Sequence, residues 1–355
     1  MAIDILRHRL HNQRLARTTF TDPADVVAWL GAVQSQDYAG AKWAVGQRVR
    51  GATDAAIERA FADGALLRTH VLRPTWHFVA PSDIQWMLAL TAPRVIAASM
   101  YYYRQQGLDA EIFRRSQAAM TAALRGGKYL TRAELDGAMQ QAGITAKEMG
   151  LTYIVMRAEL DGVICSGPRR GKQFTYALLD ERVPPAKPLA RDEALAELAR
   201  RYFTSRGPAT VHDYAWWSGL SVTDAKAGLA MISSQLAHEV VSGSAYWFAP
   251  SDPPTMPKGV SLLPNYDEYA VAYKDRDAFF DVTHVKALGA RENAVFSHVI
   301  LAGGHIVGTW KRTLKKDAVV MEAQFFEKPT DGQFRAFVTA SKRYGAFLGL
   351  PVTFL

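Results

Sequence analysis

Cysteine is almost missing from this 355-residue chain: Cys165 stands alone. That excludes an internal disulfide framework and any zinc site built from several cysteines, and it favours a reducing compartment. Long apolar runs are missing too, so no membrane span is expected. The N-terminal stretch MAIDILRHRLHNQRLA is charged and lacks an apolar core, so no signal peptide is expected. There is no glycine-rich phosphate loop with its lysine and no dinucleotide fingerprint. His70 and His77 lie seven apart with Pro74 between them, a spacing that suits no metal-ligand pair, and nothing nearby completes a tetrahedral set. No metal or cofactor is called for.

Acidic charge is outnumbered. The formal net charge is +8 and the isoelectric point about 9.5, which is compatible with nucleic-acid binding without requiring it. Hydrophobic residues make up 49% of the chain, enough to bury two to four domain cores.

The order of local signals repeats. Residues 22–33 open with Asp22-Pro23 and continue as a helix, and residues 54–66 form a second helix ending near Gly64. LLRTHVLRPTWHFVAP (66–81) is β-like, with Leu72, Trp76 and Phe78 alternating against Arg73, Thr75 and His77. Pro74 argues for an edge strand or a wing. A second set follows: a helix over 129–142 opened by the capping box Thr131/Glu134, a helix over 147–160, and two strands around the basic turn 168–172. A third set has a helix from 201, a Gly207-Pro208 break, a helix ending at Gly219, a candidate recognition helix over 221–233, and a hairpin over 238–250. Proline-rich stretches at 183–193 and 251–259 read as linkers. Beyond them the pattern is mostly β, with a Gly303-Gly304 hairpin, before a helix-like end.

Four strings in this order carry a resemblance: VQSQDYAGAKWAVGQRV (33–49), LRPTWHFVAPSD (72–83), LLPNYDEYAVAYKDR (262–276) and GTWKR (308–312). Together they resemble the AlkZ/YcaQ-like winged-helix DNA-binding family, from about residue 7 to the C-terminus. The resemblance implies an α+β fold of three tandem winged-helix units and a C-terminal β-rich domain, C-shaped around duplex DNA. The expected bounds are 1–115, 116–188, 189–258 and 259–355. It implies a DNA glycosylase acting on N-alkylated purines and interstrand crosslinks. The family's catalytic motif is Gln, an apolar residue, then Gln or Asp. Gln34 and Gln36 match the Gln branch; the middle residue here is Ser35, and Asp37 offers a carboxylate one place off register.

Glutamine cannot titrate, so it orients by hydrogen bonds alone. Alkylation at N7 or N3 makes a purine cationic, and it departs neutral without a proton donor. What remains is to hold a water against the sugar and to meet the developing positive charge. Gln34 and Gln36 are the candidates, acting through their carboxamide oxygens. Asp37 reads as a helix cap in preference to an orienting group. Thr75 and His77 either support the water or sugar-phosphate, or His77 is a buried histidine satisfied by the backbone. Arg73, the wing tip Arg169, Arg170 and Lys172, the hairpin-tip His305, and Lys311, Arg312, Lys315 and Lys316 are the candidate DNA contacts. Tyr101-Tyr102-Tyr103 could stack on bases, whereas Trp216-Trp217 and Cys165 read as packing. The expected state is a cytoplasmic, nucleoid-associated monomer on duplex DNA. The rival reading is a non-catalytic regulator, which would more commonly be a dimer on palindromic half-sites; a third is a protein-contact module.

Overall fold

The structure, a computed structural model, describes residues 3–186, 188–251, 255–257, 259–281, 283 and 297–355. It is a mixed α+β chain. The first stretch carries α1 (Ile5–Asn12), α2 (Pro23–Leu30), β1 (Val33–Gln34), α3 (Tyr38–Gly46), α4 (Asp54–Ala62), β2 (Leu67–His70) and β3 (Trp76–Val79). The second carries α5 (Pro81–Gln105), α6 (Ala110–Leu124), β4 (Leu130–Thr131), α7 (Arg132–Gln141), α8 (Glu148–Leu160), β5 (Ile164–Ser166), β6 (Thr175–Leu178) and α9 (Leu179–Arg182). The third carries α10 (Arg191–Arg206), α11 (Val211–Ser218), α12 (Val222–Ile232), β7 (Ala237–Val241) and β8 (Ser244–Phe248). The last carries β9 (Val260–Leu263), α13 (Glu268–Val271), β10 (Val299–Ala302), β11 (His305–Leu314), β12 (Val319–Phe325), α14 (Asp331–Leu348) and β13 (Val352–Phe354).

One topology occurs three times: helix, short strand, two helices, two antiparallel strands. The first two small sheets have the orders β1-β3-β2 and β4-β6-β5, and in the third a bridge from Ala209 to Trp247 supplies the short strand beside the β7–β8 pair. Local chemistry sets the ends. Asp22, Thr131 and Ser221 accept backbone N–H groups at the starts of α2, α7 and α12, and left-handed Gly219 closes α11.

Four expectations need correction. The helix from residue 22 stops at Leu30, because Gly31 turns to φ +73 and the chain enters β1. α3 lies between the two helices read from the sequence. β3 is a central strand, not an edge; Pro74 sits two residues before it in the turn, where its missing N–H breaks no ladder bond. The proposed linker at 183–193 shortens, since α10 already begins at Arg191, and Lys187, residues 252–254 and Lys258 of the two linkers lie outside the described residues.

The segment 262–273 binds the first, third and last stretches together. The indoles of Trp43, Trp310 and Trp216 donate to the carbonyls of Leu262 (2.6 Å), Leu263 (2.9 Å) and Val271 (3.1 Å), and the Tyr202 hydroxyl donates to Ala272 (2.8 Å). Asp267, fully buried, takes two guanidinium bonds from equally buried Arg48 at 2.8 and 2.9 Å and one from Gln47 at 3.2 Å. Glu268, also fully buried, pairs with Arg206. By contrast a separate core runs through α5–α8 and β5–β6, from Ala92 to Leu178. Removing one partner of a buried pair leaves an uncompensated charge, at a typical cost of 3–5 kcal/mol. Asp267→Ala should therefore lower the unfolding free energy by about 3–5 kcal/mol in urea titration; a loss under about 1 kcal/mol would show that Arg48 finds other acceptors.

Candidate active site

The motif Gln34-Ser35-Gln36 spans the end of β1 and the turn into α3, and its backbone is held at Gln34 and Ser35. The Gln34 N–H donates to Glu268 Oε1 at 2.9 Å. The Ser35 N–H donates to the Trp76 carbonyl at 2.7 Å, and the Ser35 carbonyl accepts from Arg68 Nε at 3.2 Å. Gln34 lies opposite His77 in the β1–β3 register, and His77 lies opposite Thr69 in β2, so these three side chains share one face of the sheet.

The two glutamines differ in exposure. Gln34 is buried, and its Oε1 accepts from Arg73 Nη2 at 2.8 Å. Gln36 is exposed, and its Oε1 receives a long bond from the Trp76 N–H at 3.4 Å. The Trp76 indole lies between cationic and aromatic neighbours: the Arg68 guanidinium is 4.3 Å from its ring and the His70 imidazole 4.3 Å away. Burial pulls the Arg68 pKa down to about 10.

His77 is fully buried. Its Nδ1–H donates to the Thr75 carbonyl at 2.9 Å, which leaves Nε2 as a buried acceptor with no partner among the described residues. Burial, reinforced by Arg73, holds its pKa well below the usual histidine range, so the ring is neutral and is not a proton donor at neutral pH. The hydroxyls of Ser35, Thr69 and Thr75 are also buried with no partner among the described residues. Asp37 caps α3, accepting the Gly40 N–H at 3.0 Å. His70 is committed to Glu159.

The candidate DNA contacts fall into separate groups. Arg73 is drawn into the motif. Arg169 lies over the rings of Tyr38 (4.9 Å) and Phe174 (5.2 Å) and pairs with Glu58 at 3.5 Å, so its charge faces protein. Arg170 pairs with Glu134 at 2.7 Å; the Thr131 backbone and then Arg170 bring that carboxyl to about 2. Lys172 is exposed. His305 and Lys315-Lys316 sit at opposite ends of ten-residue β11, roughly 30 Å apart at 3.3 Å per residue, and cannot grip the same phosphates. Lys311 is exposed, whereas Arg312 donates to His298 at 3.3 Å and lies over Tyr344. Tyr101 and Tyr102 are exposed and Tyr103 is buried; of the tryptophan pair read as packing only Trp217 is core, Trp216 being exposed, and Cys165 is buried with its thiol pushed up to about 12 by burial.

Sequence reasoning missed Glu268, Arg206, Arg68 and Trp76 as builders of this site. A signal existed for the first two: the adjacent acids of PNYDEYAVAY stand inside an apolar stretch and need distant cationic partners.

Comparison with known proteins places the chain among the DNA glycosylases. The family model described as DNA glycosylase AlkZ-like matches residues 27–347, and the chain belongs to that family. The interstrand DNA cross-link repair glycosylase of Streptomyces sahachiroi is 25% identical over 325 residues, covering 85% of each chain. The solved structure of Streptomyces sahachiroi DNA glycosylase AlkZ shares the fold, with a TM-score of 0.80 at 22% identity over 99% of this chain and 98% of that one.

Ser35 is fully buried and its hydroxyl has no hydrogen-bond partner among the described residues, so the middle position of the motif gains nothing from being polar. Ser35→Ala should leave stability unchanged or raise it by about 1 kcal/mol, and keep base release within about twofold. A clear loss of either, by thermal unfolding or by release assay, would give that hydroxyl a role.

Proposed function

We propose that this glycosylase hydrolyses the N-glycosidic bond of purines made cationic by N7- or N3-alkylation, with Gln34 and Gln36 positioning the attacking water. The observation that carries this is the character of the site. The motif side chains are uncharged, Asp37 is spent on a helix cap, and His77 is buried and neutral. Such a site orients well and protonates poorly. A base that already bears a positive charge leaves without a proton, so its chemistry matches what the site can offer.

The recurring helix and strand order supports the reading of three tandem winged-helix units followed by a β-rich domain over 259–355, forming a C around duplex DNA; the bound expected at 115/116 falls inside α6, so the first unit ends before Ala110. Lys172, His305, Lys311, Lys315 and Lys316, all exposed, are its candidate contacts to phosphates or a groove, with Arg170 and Arg312 adding charge from their ion-pair and ring contacts. Thr75 and His77 back the water site. The protein acts as a monomer, because unequal units in one chain make a clamp without a symmetric partner. The name of the Streptomyces relative extends the substrate proposal to unhooking interstrand crosslinks. The regulator reading has no comparable support: it leaves the held geometry of Gln34 without a purpose.

Base release from duplex DNA carrying N7-methylguanine tests this directly. The wild type should release the base, and the Gln34→Ala/Gln36→Ala variant should lose about 100-fold or more while binding the duplex equally well, a loss typical of removing preorganised polar groups. Unchanged release by the double variant would move the chemistry elsewhere.

A further inference from the structure

We infer that Arg73 is a positioning residue for the hydrolytic step, which clamps the Gln34 carboxamide in one orientation, and is not a contact to DNA phosphate. The inference rests on the catalytic reading of Gln34 given above.

The two ends of an amide are nearly alike in shape, and their assignment is normally a matter of hydrogen-bond context. Here the chemistry of the neighbour decides it. A guanidinium has five donors and no acceptor. The Gln34 atom 2.8 Å from Arg73 Nη2 must therefore be its oxygen, because a flipped amide would set N–H against N–H. With that oxygen fixed, Gln34 keeps one Oε1 lone pair and two N–H donors, each in a set direction. A water placed by them finds the same geometry in every molecule.

Gln34 is held at both ends. Its backbone N–H is bonded to Glu268 at 2.9 Å, and its strand pairs with β3. Without Arg73 the side chain would keep its rotamer freedom, and a misplacement of about 1 Å can cost about 100-fold in rate.

Arg73 is itself tightly placed. It lies in a turn of two consecutive i→i+2 bonds, from the Arg73 N–H to the Val71 carbonyl and from the Thr75 N–H to the Arg73 carbonyl, both 2.7 Å. Leu72 before it is left-handed, at φ +65, while fully in the core. A non-glycine residue holds that conformation only where its surroundings impose it. One such constraint is Gly219, at the end of α11: a Cβ there would stand 2.1 Å from the Leu72 carbonyl oxygen. The third stretch of the chain thus presses directly on the turn that aims Arg73. The guanidinium's second arm reaches the Trp216 carbonyl at 3.4 Å. The side chain is half-buried; desolvation lowers its pKa and the Glu268 carboxylate opposes that shift.

A double-mutant cycle on N7-methylguanine duplex separates the two roles. Single-turnover base release and DNA affinity across a salt series are measured for wild type, Gln34→Ala, Arg73→Met and the double variant. The clamp predicts a loss of roughly 10- to 100-fold in Arg73→Met, no change in the slope of affinity against salt, and a double variant no slower than Gln34→Ala, because both act through one group. Arg73→Lys should recover part of the rate, since an ammonium can still donate to the Gln34 oxygen; it also replaces Arg73→Met in the cycle should that variant fold poorly. Multiplied penalties, or a salt slope shallower by about one contact, would overturn the clamp and return Arg73 to the DNA interface. A Gln34→Ala enzyme as fast as wild type would instead sink the catalytic reading, a result the same data distinguish.

Discussion

A single buried carboxylate organises the candidate active site of this protein. Glu268 accepts the backbone N–H of Gln34 on one oxygen, and on the other it accepts from Arg206 and, at 2.9 Å, the Trp217 indole. Arg206 in turn donates to the carbonyls of Leu30 and Ala32, at 2.6 and 3.0 Å, on either side of the turn into β1. The strand that carries the motif, the third helical unit and the segment leading to the C-terminal sheet therefore meet at one fully desolvated ion pair. A well-packed apolar contact could supply similar stability. What the ion pair adds is direction: each oxygen has a defined set of donors, so the chain around Gln34 has one satisfactory arrangement.

The same economy of charge explains the chemistry. Carboxylates near the motif are committed to structure. Asp37 caps a helix, Glu58 pairs with Lys42 at 2.7 Å, and Glu268 holds the strand. The histidine on the same face is kept neutral by burial. A site arranged this way has little means of protonating a departing base. On the proposed mechanism selectivity follows from the substrate: the base must bring its own positive charge, and the protein needs only to hold a water and the sugar in register.

Much of the architecture was legible because its signals are local. The Thr131/Glu134 capping box, Ser221 before α12, Gly219 after α11 and the Gly303-Gly304 turn each act over a few residues, and each marks an element end in the structure. α3 escaped because Gly40 through Gly46 are all buried; a helix buried on all sides has no polar stripe to read. α5, twenty-five residues long, carries Pro93 inside it and went unread. Gln34 and Gln36 were visible as a motif, but their supports were not. Glu268 is 234 positions from Gln34 and Asp267 is 219 from Arg48, separations that leave no trace in periodicity or spacing. Arg73 was visible as a cation, and only the fold brings its guanidinium to the Gln34 carboxamide.

The most direct test of this account is the dependence of rate on the leaving group. Single-turnover release would be measured on otherwise identical duplexes carrying N7-methylguanine, unmodified guanine, hypoxanthine or uracil at one position. The account predicts release of the cationic base and none above background for the three neutral ones, since neither glutamine can donate the proton those bases require. Release of a neutral base within about tenfold of N7-methylguanine would contradict it, and would mean that an acid or base other than Gln34 and Gln36 carries the reaction.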